Sequence, residues 1–194
     1  MPPKRQITGV IFCGGRGRRF GRRDKGLMAW RGRPLAAQAA ARLAPHVGEL
    51  RLSINRNRSR YHALGLRTVV DRDCGFGGPL SGLLSAMAVV TTPYIVTLPC
   101  DSPLVPPDYV ARLWRRLCTR GVDICVVRDA RGLYPLHALL KTRLRADLAA
   151  YLAAGGAAAH QWVRRQRWTT LELDVLNLNS RDELRACTIK ARRV

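Results

Sequence analysis

Thr8-Gly9-Val10-Ile11-Phe12-Cys13-Gly14-Gly15-Arg16-Gly17-Arg18-Arg19-Phe20-Gly21-Arg22-Arg23-Asp24-Lys25-Gly26 is an apolar run that breaks abruptly into glycine and cation. A short apolar run closed by Gly14-Gly15 has the pattern of a strand buried on both faces. Glycines directly after such a strand let backbone N–H groups approach a phosphate, and the cations supply counter-charge. The loop lacks the Walker A spacing, because Lys25 is preceded by Asp24 and no Ser or Thr follows it. It also lacks the dinucleotide fingerprint, because Phe20 stands where the third glycine belongs. A solvated basic loop is the plainer alternative. Its place behind a first buried strand favours phosphate binding.

Outward from this stretch the pattern repeats as strand, loop and helix. Pro34 to Leu43 predicts a helix with Pro in its first turn, stopped at Pro45. Glu49 to Asn55 and Leu66 to Val70 read as strands, the second running into Asp71. Pro79 opens a helix to about Val90, and Tyr94 to Leu98 is a strand ending in Pro99-Cys100-Asp101. A helix follows from Pro106-Pro107-Asp108 to about Arg120, then strands over 123–127 and 134–140. Leu144 to Leu152 is helical with Gly155-Gly156 as its stop. Trp168 to Leu178 holds one or two strands, and Ser180 caps a last short helix with Glu183 in its first turn. Strands alternating with helices predict an α/β fold, a mainly parallel Rossmann-like sheet with helices on both faces. No linker or repeat divides residues 1–194, which are expected to form one three-layer domain.

In such a sheet, ligands bind beyond the carboxyl ends of the strands. The residues expected there are Gly14-Gly15, Asn55, Asp71, Asp101 and the Asn177–Asn179 stretch. Asp101 carries two readings: a turn cap shared with Ser102, or a carboxylate for Mg²⁺, which takes oxygen ligands and shares them with substrate phosphates. Asp71-Arg72-Asp73 matches a D-x-D pattern too short to distinguish from chance.

The composition sets the outer limits. Hydrophobic residues make up 47% of the 194, which excludes a disordered chain. Against 13 Asp and Glu stand 34 Lys and Arg, a formal charge of +21 that favours polyanionic ligands. Only Lys4, Lys25, Lys141 and Lys190 are lysines, so part of the excess reflects a bias towards arginine. The apolar run 10–13 is too brief for a signal peptide, and prolines and glycines interrupt the uncharged stretch 74–100, so no membrane span is expected. Six cysteines without a C-x-x-C pair fit reduced thiols in the cytoplasm. The four tryptophans read as packing residues, because no basic–aromatic interleaving recurs. The histidines are scattered and read as structural or solvated, except that His137, in a strand close to the expected cleft, keeps a substrate role open.

Gly14-Gly15-x-x-x-Arg19-x-Gly21-x-x-Asp24-Lys25-Gly26-Leu27 resembles the signature loop of molybdenum cofactor guanylyltransferases. Further stretches match in order: Asn55-x-Asn57-Arg58, Asp71, Gly78-Pro79-Leu80-x-Gly82, Pro99 to Pro103, Pro106-Pro107-Asp108, and Asn177-x-Asn179 with Glu183-Leu184. The resemblance implies transfer of GMP from GTP to the terminal phosphate of molybdenum-bearing molybdopterin, with release of pyrophosphate. It implies that Phe12, Cys13, Gly14 and Gly15 line the guanine and ribose pocket, and that Gly78 belongs to the nucleotide site. It further implies that Arg19 and Lys25 serve the phosphates, Asn55 and Asp71 fix the nucleoside, and Asp101 holds Mg²⁺. Asn177 and Asn179 fall on the molybdopterin side.

The sequence departs from the family's pattern in places. Phe12-Cys13 replaces Leu-Ala, Phe20 replaces Met, and Gly155-Gly156-Ala157-Ala158 lacks basic residues that relatives often place near the acceptor. Arg164, Arg165 and Arg167 are the cations nearest in sequence to fill that role. Two alternatives stay open: a relative using CTP or another phosphorylated acceptor, and a basic nucleic-acid-binding protein. No helix-turn-helix, zinc finger or RNP motif supports the second, so nucleic acid is not expected as a specific ligand. A surplus of +21 exceeds what two small anions require. An acidic protein that supplies or accepts the cofactor is the partner it suggests.

Overall fold

The computed structural model describes residues 3–14, 24–70 and 78–176. Every residue of β1, Ile7–Phe12, is buried, as the unbroken apolar run requires. Alternate side chains feed two separate cores. Ile7 and Ile11 point into one with Leu52, Ile54, Val96 and Leu98, while Val10 and Phe12 point into the other with Ile95 and Val126. A strand buried on both faces sits inside a sheet, and β1 does. The order is β5-β4-β1-β6-β8-β7-β9, built from β4 (Glu49–Ile54), β5 (Arg67–Val70), β6 (Tyr94–Pro99), β7 (Ile124–Asp129), β8 (Gly132–Lys141) and β9 (Trp168–Glu172). A separate two-stranded ribbon pairs β2 (Ala29–Trp30) with β3 (Arg33–Pro34).

Pairing is parallel from β5 through β4 and β1 to β6, and again between β7 and β9. Strand β8 runs antiparallel between β6 and β7. The short turn from β7 into β8 leaves no residues for a crossover helix, so the chain must reverse there. The expectation of a mainly parallel sheet covered on both faces holds, with β8 as the exception.

Helices α1 (Leu35–Leu43) and α4 (Tyr109–Arg120) cover the first core. In α4 the buried residues Tyr109, Val110, Leu113 and Leu117 lie on one stripe, while Arg112, Arg115 and Arg116 take the other positions. Helices α3 (Pro79–Met87), α5 (Arg145–Ala153) and α6 (Ala159–Arg164) cover the second core. Helix α3 starts at Pro79 as expected and ends three residues before Val90. Helix α2 (Arg58–His62), α6 and the β2–β3 ribbon were not expected. Each is too short for a periodic stripe to declare itself. The last helix expected after Ser180 lies outside the described residues, as does any strand beyond residue 176.

Chain order and strand order together locate the crevice. From β1 the chain steps outward to β4 and β5, crosses to the opposite face through α3, and returns as β6 on the other flank of β1. That reversal opens the sheet beyond the carboxyl ends of β1 and β6.

Candidate active site

At this edge the three strand ends are stitched together by main chain. The Cys13 N–H donates to the Ser53 carbonyl at 2.9 Å, and the Cys100 N–H donates to the Phe12 carbonyl at 3.0 Å. The side chains of Phe12 and Cys13 are both buried, so what these two residues offer a ligand is chiefly backbone. Gly14 is exposed directly beyond them. A Cβ at Gly14 would collide with the Asn55 amide oxygen, so the two predicted residues lie against each other across adjacent strands. Gly82 serves close approach in the same way, beneath the strand ends. A Cβ there would sit 2.6 Å from the Ser53 hydroxyl and 3.6 Å from the Phe12 ring, so its absence lets α3 settle on the ends of β1 and β4. Gly78 precedes α3 with φ +77°, a conformation that glycine adopts without steric cost.

Asp101 follows β6, and its Oδ2 accepts from the Lys25 Nζ at 2.5 Å. Both side chains are about one-fifth exposed, which leaves the pair open to a ligand. Lys25 begins a 3-10 turn, Lys25–Leu27. The turn is fastened from the far side of the crevice by Asp24, whose side chain is 5% exposed. Asp24 Oδ1 accepts from the Tyr61 hydroxyl at 2.5 Å and its Oδ2 from the Asn57 amide at 2.9 Å, with Arg56 Nε 3.9 Å away. Asn57 itself is left-handed, φ 56°, a conformation that asparagine tolerates better than most residues. Burial, the neighbouring Cys13 and the bond to Asp24 all push the Tyr61 hydroxyl up, so it stays a proton donor. Gly26 makes room for this bond, since a Cβ there would strike the Tyr61 hydroxyl.

Behind Asp101 lies a second polar pair. The Ser102 hydroxyl is 3.3 Å from Asp101 Oδ1 and 2.8 Å from His137 Nε2. His137 stands on β8 at 2% exposure, edge-on to the Tyr134 ring at 5.5 Å. Burial pulls the imidazole down to about 4, against an opposing pull from the Asp101 charge, so the ring is neutral near pH 7. Burial and the adjacent Cys100 push the Cys13 thiol up. Cys13 therefore stays a protonated core residue, not a nucleophile.

Of the residues predicted from sequence, Gly14, Lys25, Asn55 and Asp101 meet at this edge, with Phe12 and Cys13 beneath them. Gly15, Arg19, Asp71, Asn177 and Asn179 lie outside the described residues. Arg167, directly before β9, donates to the Gly121 carbonyl at the amino edge of the sheet, away from this site. Arg165 lies over the Tyr151 ring. The sequence assigns no role to Asp24, Tyr61 or Asn57, and gives Ser102 only that of a turn cap shared with Asp101. Asp24 and Asn57 stood inside the quoted motifs. Only the fold brings Tyr61 and His137 to them.

Among the described residues no three His, Cys, Asp or Glu side chains cluster to hold a metal. Among the described residues, the Asp101 carboxylate beside Lys25 fits Mg²⁺ held mainly by a substrate's phosphates better than a protein-caged ion. An open, mainly parallel sheet whose switch point carries glycine backbone, a lysine and a carboxylate has the parts that binding a nucleoside triphosphate and transferring its nucleotidyl group require. This is a nucleotidyltransferase. Comparison with known proteins narrows the class: the family model described as MobA-like NTP transferase domain matches residues 9–170. The molybdenum cofactor guanylyltransferase of Ralstonia nicotianae is 38% identical, covering 95% of this chain and 97% of its own. That of Methylibium petroleiphilum is 40% identical, covering 92% and 94%. The molybdopterin-guanine dinucleotide biosynthesis protein A structure from Archaeoglobus fulgidus shares the fold, with a TM-score of 0.79 at 16% identity over 96% of this chain and all of that one. The chain belongs to the MobA-like nucleotidyltransferase family, among the molybdenum cofactor guanylyltransferases.

Proposed function

We propose that this enzyme transfers GMP from GTP to the terminal phosphate of molybdenum-bearing molybdopterin, forming the guanine dinucleotide cofactor and releasing pyrophosphate. The observation that carries the reading is the Lys25–Asp101 pair at the β1/β6 switch point. Guanine and molybdopterin are favoured by the names of relatives 38–40% identical over nearly the whole chain.

The acceptor phosphate is already an anion and a nucleophile, so the chain has no need of a general base. Its task is to bring two anions together and hold them in line. Backbone at Gly14 and Gly15 approaches the triphosphate, while Lys25 and Arg19 offset its charge. Asn55, Asp71 and Gly78 hold the nucleoside, and Asn177 and Asn179 contact the acceptor. Asp101 would hold Mg²⁺. When bound, that ion neutralises charge on the reacting phosphates. The reaction belongs to the cytoplasm, and the excess positive charge is read as a surface for an acidic protein that delivers or collects the cofactor.

Base choice is the direct test. GTP with Mg²⁺ should raise the melting temperature well above CTP or ATP at equal concentration, since a ligand of the native state stabilises by mass action. Equal shifts with GTP and CTP would remove the guanine assignment.

A further inference from the structure

We propose that His137 is a positioning residue for nucleotidyl transfer, acting through the Ser102 hydroxyl to hold the Asp101 carboxylate in the orientation that shares a divalent cation with the nucleotide phosphates. The inference rests on the function proposed above. It assigns a task to two residues that the reaction does not otherwise use.

The direction of the hydrogen-bond chain follows from valence. An ionised Asp101 only accepts, so the Ser102 O–H, 3.3 Å away, donates to Oδ1. The Ser102 oxygen then accepts from His137, which carries its proton on Nε2 at 2.8 Å. Both carboxylate oxygens are thereby restrained, Oδ1 by Ser102 and Oδ2 by Lys25. The two restraints differ in kind. Lys25 rides on a flexible four-carbon stem, one-fifth exposed, and can turn towards an incoming phosphate. Ser102 and His137 are buried to 1% and 2% exposure, on the turn after β6 and on β8. Their link stays when Lys25 leaves.

Burial also argues against an incidental pairing. Residues 138 to 140 of β8 are apolar and buried, and an apolar side chain at 137 would suit that strand. An imidazole in such a place costs desolvation unless it is bonded. The bond it makes leads through Ser102 to Asp101, the carboxylate assigned to the metal. Groups that orient a metal's own ligands in this way typically affect metal affinity by 10- to 100-fold.

The test titrates Mn²⁺ into the full chain saturated with a non-hydrolysable GTP analogue, reading free Mn²⁺ by its paramagnetic resonance signal. Melting curves run in parallel. Ser102→Ala and His137→Phe should each raise the half-saturating Mn²⁺ concentration about tenfold, with analogue affinity in the absence of metal unchanged. The double variant should be no worse than either single one, and His137→Gln, which keeps a donor, should recover most of the loss. In an Asp101→Asn background neither substitution should matter further. A purely structural role would lower the melting temperature of the free chain and leave the Mn²⁺ titration unmoved, which overturns the proposal. Additive losses in the double variant also overturn it. Should His137→Phe fail to fold, Ser102→Ala decides alone. If the unsubstituted chain gains no Mn²⁺ affinity from the analogue, the proposed function falls and this inference with it. Normal binding by the unsubstituted chain and by the variants overturns this inference only.

Discussion

Asp101 and Lys25 form an ion pair that a stability argument would rate as minor. Both are about one-fifth exposed, and ion pairs in such places contribute roughly 0–1 kcal/mol. On the proposed function, their worth lies in what they present to a ligand. Asp101→Asn keeps the volume and an oxygen while removing the anion. The variant should melt close to the unsubstituted chain, yet lose GMP transfer by about two orders of magnitude or more, the scale of a lost electrostatic contact to the reacting phosphate. A folded Asp101→Asn enzyme with full turnover would refute the metal role. Tyr61 presents the opposite case, since it touches no predicted ligand and holds the residue beside one that does.

At the scale of elements, two turns from different regions of the chain make the crevice. The 3-10 turn at Lys25–Leu27 and the start of α2 are joined through Asp24, Asn57 and Tyr61. The short helix α2 has little packing of its own beyond Tyr61, its one buried residue. Tyr61→Phe removes a hydroxyl bonded to a nearly buried carboxylate, and hydrogen bonds to charged groups contribute about 1.5–3 kcal/mol. Urea unfolding should show a loss of that order, accompanied by a raised KM for GTP as Lys25 loses its footing. If stability falls with KM unchanged, the Asp24 anchor does not transmit to the lysine. Helix α3 works by a different device. Gly78 turns the chain and Gly82 admits close approach, so the helix begins beside the ends of β1 and β4.

The whole molecule carries a charge of +21, far more than the crevice uses. Acidic residues are few, and among the described ones several are engaged by cations. Asp123 is fixed by Lys141 and Arg143, whose bonds outweigh the upward effect of burial and hold its carboxyl below the usual range. The Arg131 bond likewise holds Asp129 low. The remaining positive field should steer anions towards the protein, an effect that salt screens within about 10 Å at 0.1 M. GTP affinity, set by directed contacts, should change only a few-fold between low and physiological salt. Cofactor transfer with an acidic partner should slow steeply over the same range. Loss of GTP binding to added nucleic acid at physiological salt would instead favour a nucleic-acid-binding role for the surface. No helix of the described residues is long and apolar enough to cross a membrane.

By itself the sequence determined the layered α/β sheet, because an apolar run such as 7–12 can be satisfied only by burial on both faces. It also marked Gly14, Lys25, Asn55 and Asp101, each directly after a strand or in a glycine-rich loop. Local pattern sufficed for these, since strand ends converge on one edge in any sheet of this kind. The tertiary structure alone decided the supports. Tyr61 stands 37 residues from Asp24, and His137 stands 35 from Ser102. No periodicity links such pairs. Strand order does, by laying β8 antiparallel against β6 so that a histidine with nothing in its own segment to explain it comes to lie behind the carboxylate of the crevice.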